Sequence, residues 1–253
     1  MTTVQDILHY LETLAPTDLK MEWDNVGLLC GRSDKEVRTI LVALDPFPHV
    51  CQEAVDVGAD LLVTHHPLIF QPLNSVSDQT ATGRAIMTLI ANDISAVNAH
   101  TNLDCADGGV NDTLAERLEL TDVSVIGSEH LLRAGQFNSC LPAFLEHVKA
   151  KLGCKGLRYV SGGKQVCKVA VGGGSCGSEL NDVITAGCDT FVTADVKYNQ
   201  FWDAKEMGIN LIDAGHFHTE NPVCTVLADR LQKAFPDVQV ILSKKHADCV
   251  NFY

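Results

Sequence analysis

A chain of 253 residues makes one large domain or two small ones, and at that length it buries roughly 70–75% of its unfolded surface without needing a crosslink. Its 46% hydrophobic and 20% charged residues exclude a disordered chain. With 19 Lys and Arg against 32 Asp and Glu the formal charge is −13, which argues against nucleic acid as a partner, because gripping phosphates needs a basic patch. Val4, Ile7, Leu8, Leu11 and Leu14 recur at helical spacing, with Thr3 and Asp6 as a cap pair and Pro16 as the stop. Turn residues from Glu22 to Gly27 lead into a short strand. Thr39–Asp45 and Asp60–Thr64 read as buried strands flanking a helix over Val50–Val57. A helix over 79–92, a strand over Ile94–Ala99 and a helix over 110–119 follow. The middle, about 121–165, changes character, with several Gly, a helix over Ala143–Leu152 and a strand near Leu157–Val160. Strands then return at Val166–Val171, Thr190–Thr193 and Asn210–Ala214, with helices between them. Continuous apolar strands alternating with helices predict an α/β fold with covered sheet faces.

The return is an internal repeat. At an offset of 129 residues, Gly58-Ala59-Asp60-Leu61-Leu62-Val63-Thr64-His65-His66 lies on Gly187-Cys188-Asp189-Thr190-Phe191-Val192-Thr193-Ala194-Asp195. Ile40-Leu41-Val42 falls on Val169-Ala170-Val171 at the same offset. An offset of 116 sets His100 and Asp104 on His216 and Glu220. The expected architecture is two related α/β halves facing a central cleft: 1–125, a connecting segment 126–165, and 166–253. The ten cysteines contain no C-x-x-C, and the N-terminal residues lack the pattern of a secretory signal, so the expectation is reduced thiols and a cytoplasmic protein. No apolar run approaches the ~20 residues of a membrane span.

Ligands of open α/β sheets bind beyond the carboxyl ends of the strands, and the chemistry-bearing residues gather there. His65 and His66 follow one buried strand, and Pro67 fixes the turn that lets both imidazoles converge. Asp104 follows the next strand. His216 and Glu220 follow the corresponding strand of the second half, four residues apart and therefore on one face of a helix. Three imidazoles and two carboxylates without thiolate suit Zn, Fe, Mn, Co or Ni. Five ligands are too many for one catalytic zinc and suit two divalent transition metal ions about 3.5–4 Å apart. His100 is expected to line the site as a proton carrier, with Asp24 as a free carboxylate in the same role. His218 faces elsewhere on the helix. Gly172-x-Gly174-x-x-Gly177 with Asp195 downstream also matches a dinucleotide fingerprint. That match competes with the alignment of Asp195 on His66, which puts the same residue at a metal cleft.

Four ordered strings, Trp23-Asp24-Asn25-Val26-Gly27-Leu28, Thr64-His65-His66-Pro67-Leu68-Ile69-Phe70, Asn98-Ala99-His100-Thr101-Asn102-Leu103-Asp104 and Asp213-Ala214-Gly215-His216-Phe217-His218-Thr219-Glu220, closely resemble the Nif-three-like family, whose members are often labelled GTP cyclohydrolase I type 2 homologues. The resemblance implies two α/β halves, a dinuclear metal site on His65, His66, Asp104, His216 and Glu220, and a homohexamer built as a trimer of dimers. Asn199 departs from the His that many relatives carry after Asp195-Val196-Lys197-Tyr198. The functional expectation is a metal-dependent hydrolase acting on a nucleotide-like or phosphate-bearing small molecule, held as an anion by a locally cationic cleft. The alternative is a metal or metal-cofactor carrier without turnover.

Overall fold

A computed structural model describes all residues, 1–253. In chain order the elements are α1 (Val4–Leu14), β1 (Gly27–Cys30), β2 (Thr39–Ala43), α2 (Pro48–Asp56), β3 (Leu61–Thr64), α3 (Ala81–Ala91), β4 (Ser95–Asn98) and α4 (Thr101–Cys105). Next come α5 (Val110–Arg117), β5 (Thr121–Ile126), β6 (Leu132–Ser139), α6 (Leu141–Leu152), β7 (Arg158–Val160) and β8 (Val166–Val171). The last are α7 (Leu180–Thr185), β9 (Thr190–Thr193), α8 (Tyr198–Glu206), β10 (Asn210–Asp213), α9 (His216–Glu220), α10 (Pro222–Ala234) and β11 (Gln239–Leu242). The fold is α/β. The predicted cap of α1 is present as a reciprocal pair, with Thr3 Oγ1 accepting from the Asp6 amide and the Asp6 carboxylate accepting from the Thr3 amide.

The chain forms two compact units, Met1–Ala106 with Cys224–Ala247, and Asp107–Val223 with Asp248–Tyr253. This differs from the expected division at 125 and 165. The segment 126–165 is no mere connection, because it builds β6, α6 and β7, and both strands pair within the second unit's sheet. Residues 224–247 also return to the first unit, where β11 pairs in parallel with β2.

Unit 1 carries a five-stranded sheet in the order β1-β4-β3-β2-β11. Leu41 and Leu62, from adjacent strands, pack with Val50 and Ala54 of α2 and Ile86 and Leu89 of α3 in one core cluster. α1 meets α10 through an edge-to-face contact of Tyr10 with Phe235 and a hydrogen bond from Tyr10 to the Arg230 carbonyl. Unit 2 carries a six-stranded sheet in the order β5-β6-β8-β9-β10-β7. Successive strand residues point to opposite faces. Val169, Val171, Val192 and Ile212 join Leu114 of α5 and Phe144 of α6, while Ala170, Phe191 and Leu211 join Val183 of α7 and Ala204 of α8. Burying both faces is what the continuous apolar runs require.

The repeat holds down to strand register. Ile40 pairs with Leu61 and Val42 with Val63 in unit 1; 129 residues on, Val169 pairs with Thr190 and Val171 with Val192. Thr64 pairs with Asn98 as Thr193 pairs with Asp213. All ten cysteines are thiols. Burial pushes Cys51 and Cys154 up to about 12 and Cys188 to about 11, which makes them inert core residues. No helix is long and apolar enough to cross a membrane.

Candidate functional site

In unit 1 the carboxyl ends of β3 and β4 bring three imidazoles together. The ring centroids of His65 and His66 lie 5.0 Å apart, those of His65 and His100 5.2 Å, and those of His66 and His100 5.6 Å. One ligand nitrogen from each of the three can be chosen so that all lie within 4.8 Å of one another, a spacing that could hold a metal ion. His65 is fully buried and its Nε2 lies 3.6 Å from Asp104 Oδ1. Asp104 reaches that position because α4 starts directly after His100, which occupies the position before its first residue.

In unit 2, α9 places His216 and Glu220 one turn apart, with Nε2 of the histidine 3.0 Å from Oε2 of the carboxylate. Glu220 is buried against the loop that follows β8. A Cβ added at Gly174 would stand 2.1 Å from Glu220 Oε1 and 3.1 Å from His216 Nε2, and the residue has a φ of +63°. Only glycine leaves room for that carboxylate.

The four histidines at these strand ends share one arrangement. His65 Nδ1 lies 2.9 Å from the Ala99 carbonyl, His66 Nδ1 2.6 Å from Asp45 Oδ1, His100 Nδ1 2.8 Å from Asp24 Oδ1, and His216 Nδ1 2.7 Å from Asp195 Oδ2. A carbonyl or carboxylate oxygen can only accept, so each Nδ1 carries a proton. Fixing the tautomer this way is how ligating histidines are prepared for a metal. The donor set therefore fits divalent transition ions, through imidazole nitrogen and carboxylate oxygen.

His218 differs. Its Nδ1 donates to the Leu152 carbonyl at 3.2 Å and its Nε2 lies 3.2 Å from Asp248 Oδ2, so its contacts are with unit 2. Asp24 departs from the expected free carboxylate. It is buried, and besides His100 it accepts from the Thr101 amide at 3.0 Å, the Thr101 hydroxyl at 2.5 Å and the Asn25 amide at 2.8 Å. Burial alone would raise its pKa, but the hydrogen bonds from His100 and Thr101 and the nearby imidazole outweigh it and hold the carboxyl well below the usual range. Asp24 is thereby held as a carboxylate that orients His100.

The glycine-rich string is part of the same unit 2 architecture. The Gly173 amide donates to Asn111 Oδ1 at 2.7 Å and the Gly174 amide to Thr219 Oγ1 at 3.0 Å, so these donors serve the protein and not a dinucleotide phosphate. Asp195, with a φ of +51°, holds His216. Asn199 is exposed on α8, where it lines a hollow with Ser178, Asn181, Gln200 and Asp203. Sequence reasoning missed Asp45 as a functional residue. Its signal was available: a carboxylate two residues beyond β2, the parallel neighbour of β3.

The model of the Duf34/NIF3 (NGG1p interacting factor 3) family matches residues 2–248. The chain belongs to this family. A protein of Clostridium perfringens named GTP cyclohydrolase 1 type 2 homolog is 37% identical over 98% of this chain and 99% of its own length. The crystal structure of a Bacillus cereus protein related to NIF3 superposes with a TM-score of 0.93 at 27% identity, covering 100% of this chain and 99% of that one. Reduced HcgD from Methanocaldococcus jannaschii gives 0.84 at 32% identity, covering 96% and 98%.

Proposed function

We propose that this family member is a dinuclear metal-dependent hydrolase, with His65, His66, Asp104, His216 and Glu220 holding two divalent transition metal ions and a nucleotide-like or phosphate-bearing small molecule as substrate. The observation that carries the reading is the common orientation of the histidines, each held by an Nδ1–H bond to a carbonyl or carboxylate oxygen. The name GTP cyclohydrolase 1 type 2 homolog, borne by relatives at 37% and 36% identity, supports the substrate class. Such ions, when bound, polarise an electrophile and lower the pKa of water.

The chain's own residues then divide the work. Asp45 and Asp195 fix the rings of His66 and His216, and the Ala99 carbonyl fixes His65. His100 moves a proton at Nε2, because Asp24 holds its Nδ1 proton in place and so fixes the ring. Thr101 in turn locks Asp24. The same reading places the protein in a reducing cytoplasm as a homohexamer, a trimer of dimers. A second reading, a metal or metal-cofactor carrier, is favoured by one observation: the His216 side chain is 36% exposed, against 0% for His65, so one ligand is open to exchange.

Metal-loaded protein offered a panel of nucleotides and phosphoesters decides between them. The hydrolase reading expects turnover that His65→Ala and Glu220→Ala abolish. Turnover unchanged in both variants would overturn it. No turnover with any compound, together with rapid transfer of metal to a chelator, would establish the carrier.

A further inference from the structure

Trp23 and Phe70 are large apolar side chains placed in water, 62% and 47% exposed, although the residues around them are firmly held. Their rings meet edge to face at 5.8 Å and 76°. Each also meets His100 edge to face, Trp23 at 6.3 Å and 73°, and Phe70 at 6.2 Å and 85°. Three nearly perpendicular rings thus form a triangle about 6 Å on a side, and its third corner is the imidazole that touches both His65 and His66.

The placement is built by polar bonds. Asn25 donates to the Ile69 carbonyl at 2.6 Å and so ties the turn bearing Trp23 to the loop bearing Phe70. Asn98, at the end of β4, donates to the Asn25 carbonyl at 3.1 Å. Asp24, directly after Trp23, is held by His100 and Thr101. Other aromatic rings of the chain have a cation over them, Lys205 at 4.9 Å from the Trp202 ring and Arg158 at 5.4 Å from Phe201. Trp23 and Phe70 instead meet rings at steep angles while both side chains remain exposed. Keeping two such rings exposed beside a histidine cluster has a cost in solvation that a flat apolar ligand would remove.

We propose that Trp23 and Phe70 form an aromatic wall at the mouth of the unit 1 histidine cluster, and that it recognises the flat heteroaromatic ring of the ligand by stacking. This rests on the reading of the cluster as a site for a nucleotide-like molecule and adds its selectivity: the wall takes the base, and the metal ligands take the reacting or anionic end. Stacking on an aromatic side chain tolerates any π-bearing ring, so the wall selects for a planar heterocycle over an aliphatic phosphate ester of the same charge.

The test uses metal-loaded, full-length protein carrying Trp202→Phe, which leaves Trp23 as the sole tryptophan. Guanosine, guanosine triphosphate and inorganic tripolyphosphate are titrated, with Trp23 fluorescence and calorimetry as readouts. Guanosine triphosphate and guanosine should quench Trp23, and tripolyphosphate should bind without quenching. Phe70→Ala, and Trp23→Ala followed by calorimetry, should weaken guanosine triphosphate about 10- to 100-fold and leave tripolyphosphate unchanged. Trp23→Phe, which keeps a ring, should restore most of the affinity. Guanosine binding through the wall while tripolyphosphate does not bind would overturn the phosphate part of the functional reading and leave the wall standing. Three results overturn the wall: no response of Trp23 to either guanine compound, equal weakening of all probes by Trp23→Ala, or a changed oligomeric size in Trp23→Ala, which would mark the face as one covered by a second copy.

Discussion

In unit 1 the second residue beyond β2, β3 and β4 is Asp45, His66 and His100; in unit 2 the second residue beyond β8, β9 and β10 is Gly173, Asp195 and Gly215. The parallel cores share register, yet their strand ends are furnished differently. Unit 1 sets its imidazoles directly on the strand-end loops. Unit 2 strips two of those loops to glycine and lets a five-residue helix bring His216 and Glu220 against the backbone. In both, an aspartate at one strand end holds a histidine from the neighbouring parallel strand: Asp45 holds His66, and Asp195 holds His216. A duplicated scaffold can thus use the same kind of orienting bond at different strand ends, β2 and β3 in unit 1 and β9 and β10 in unit 2.

The sharpest way to break this comparison is Gly174→Ala. It should destabilise the protein by about 2–4 kcal/mol in denaturant titrations, since strain at positive φ and overlap with Glu220 add. Gly187 is the control. Its φ is +71° with nothing within 4 Å of an added Cβ, so Gly187→Ala should lose only about 1–2 kcal/mol. Equal losses would show that Glu220 does not depend on the glycine loop.

Removing the buried charge of Asp24 comes next. Asp24→Asn should destabilise by about 2–3 kcal/mol. Because the folded pKa lies below the unfolded one near 3.9, the wild-type contribution is complete above about pH 5 and is lost as pH falls below it. The stability difference between wild type and variant should therefore shrink on acidification, and a difference that grows would refute the assignment.

Asp45→Ala and Asp195→Ala should each weaken metal binding about 10- to 100-fold in competition with a chelator. A loss confined to one of them would break the equivalence of the two units. The smallest effect concerns thiols. Alkylation of native protein at pH 8 should modify Cys140, Cys167 and Cys249 and spare Cys51 in unit 1 and Cys154 and Cys188 in unit 2.

The strands β2, β3, β4, β8, β9 and β10 were legible because each is a short apolar run buried on both faces, and the offset of 129 matched β2 and β3 to β8 and β9. β6 was not. Its Arg133 is buried in an ion pair with Asp112, and its Gly135 lies where an added Cβ would meet Leu120 at 2.9 Å. Both residues erase a strand pattern for reasons that only tertiary packing supplies. β5 is exposed along most of its length, and β11 joins β2 from the far end of the chain, so neither carries a local signal strong enough to place it. The strand-end position made the five metal-ligand candidates and His100 legible. The orienting role of Asp24 was not, because the hydrogen bonds from His100 and Thr101 that hold it come from residues distant in the chain, whose approach the sequence does not display.

If the proposed ligands of both units hold metal, elemental analysis of purified protein, paired with His65→Ala from unit 1 and Glu220→Ala from unit 2, should find close to two transition metal ions per chain in the wild type and a clear loss in each variant. A wild type without metal after reconstitution, or variants that both retain the full complement, would refute the proposed metal centre.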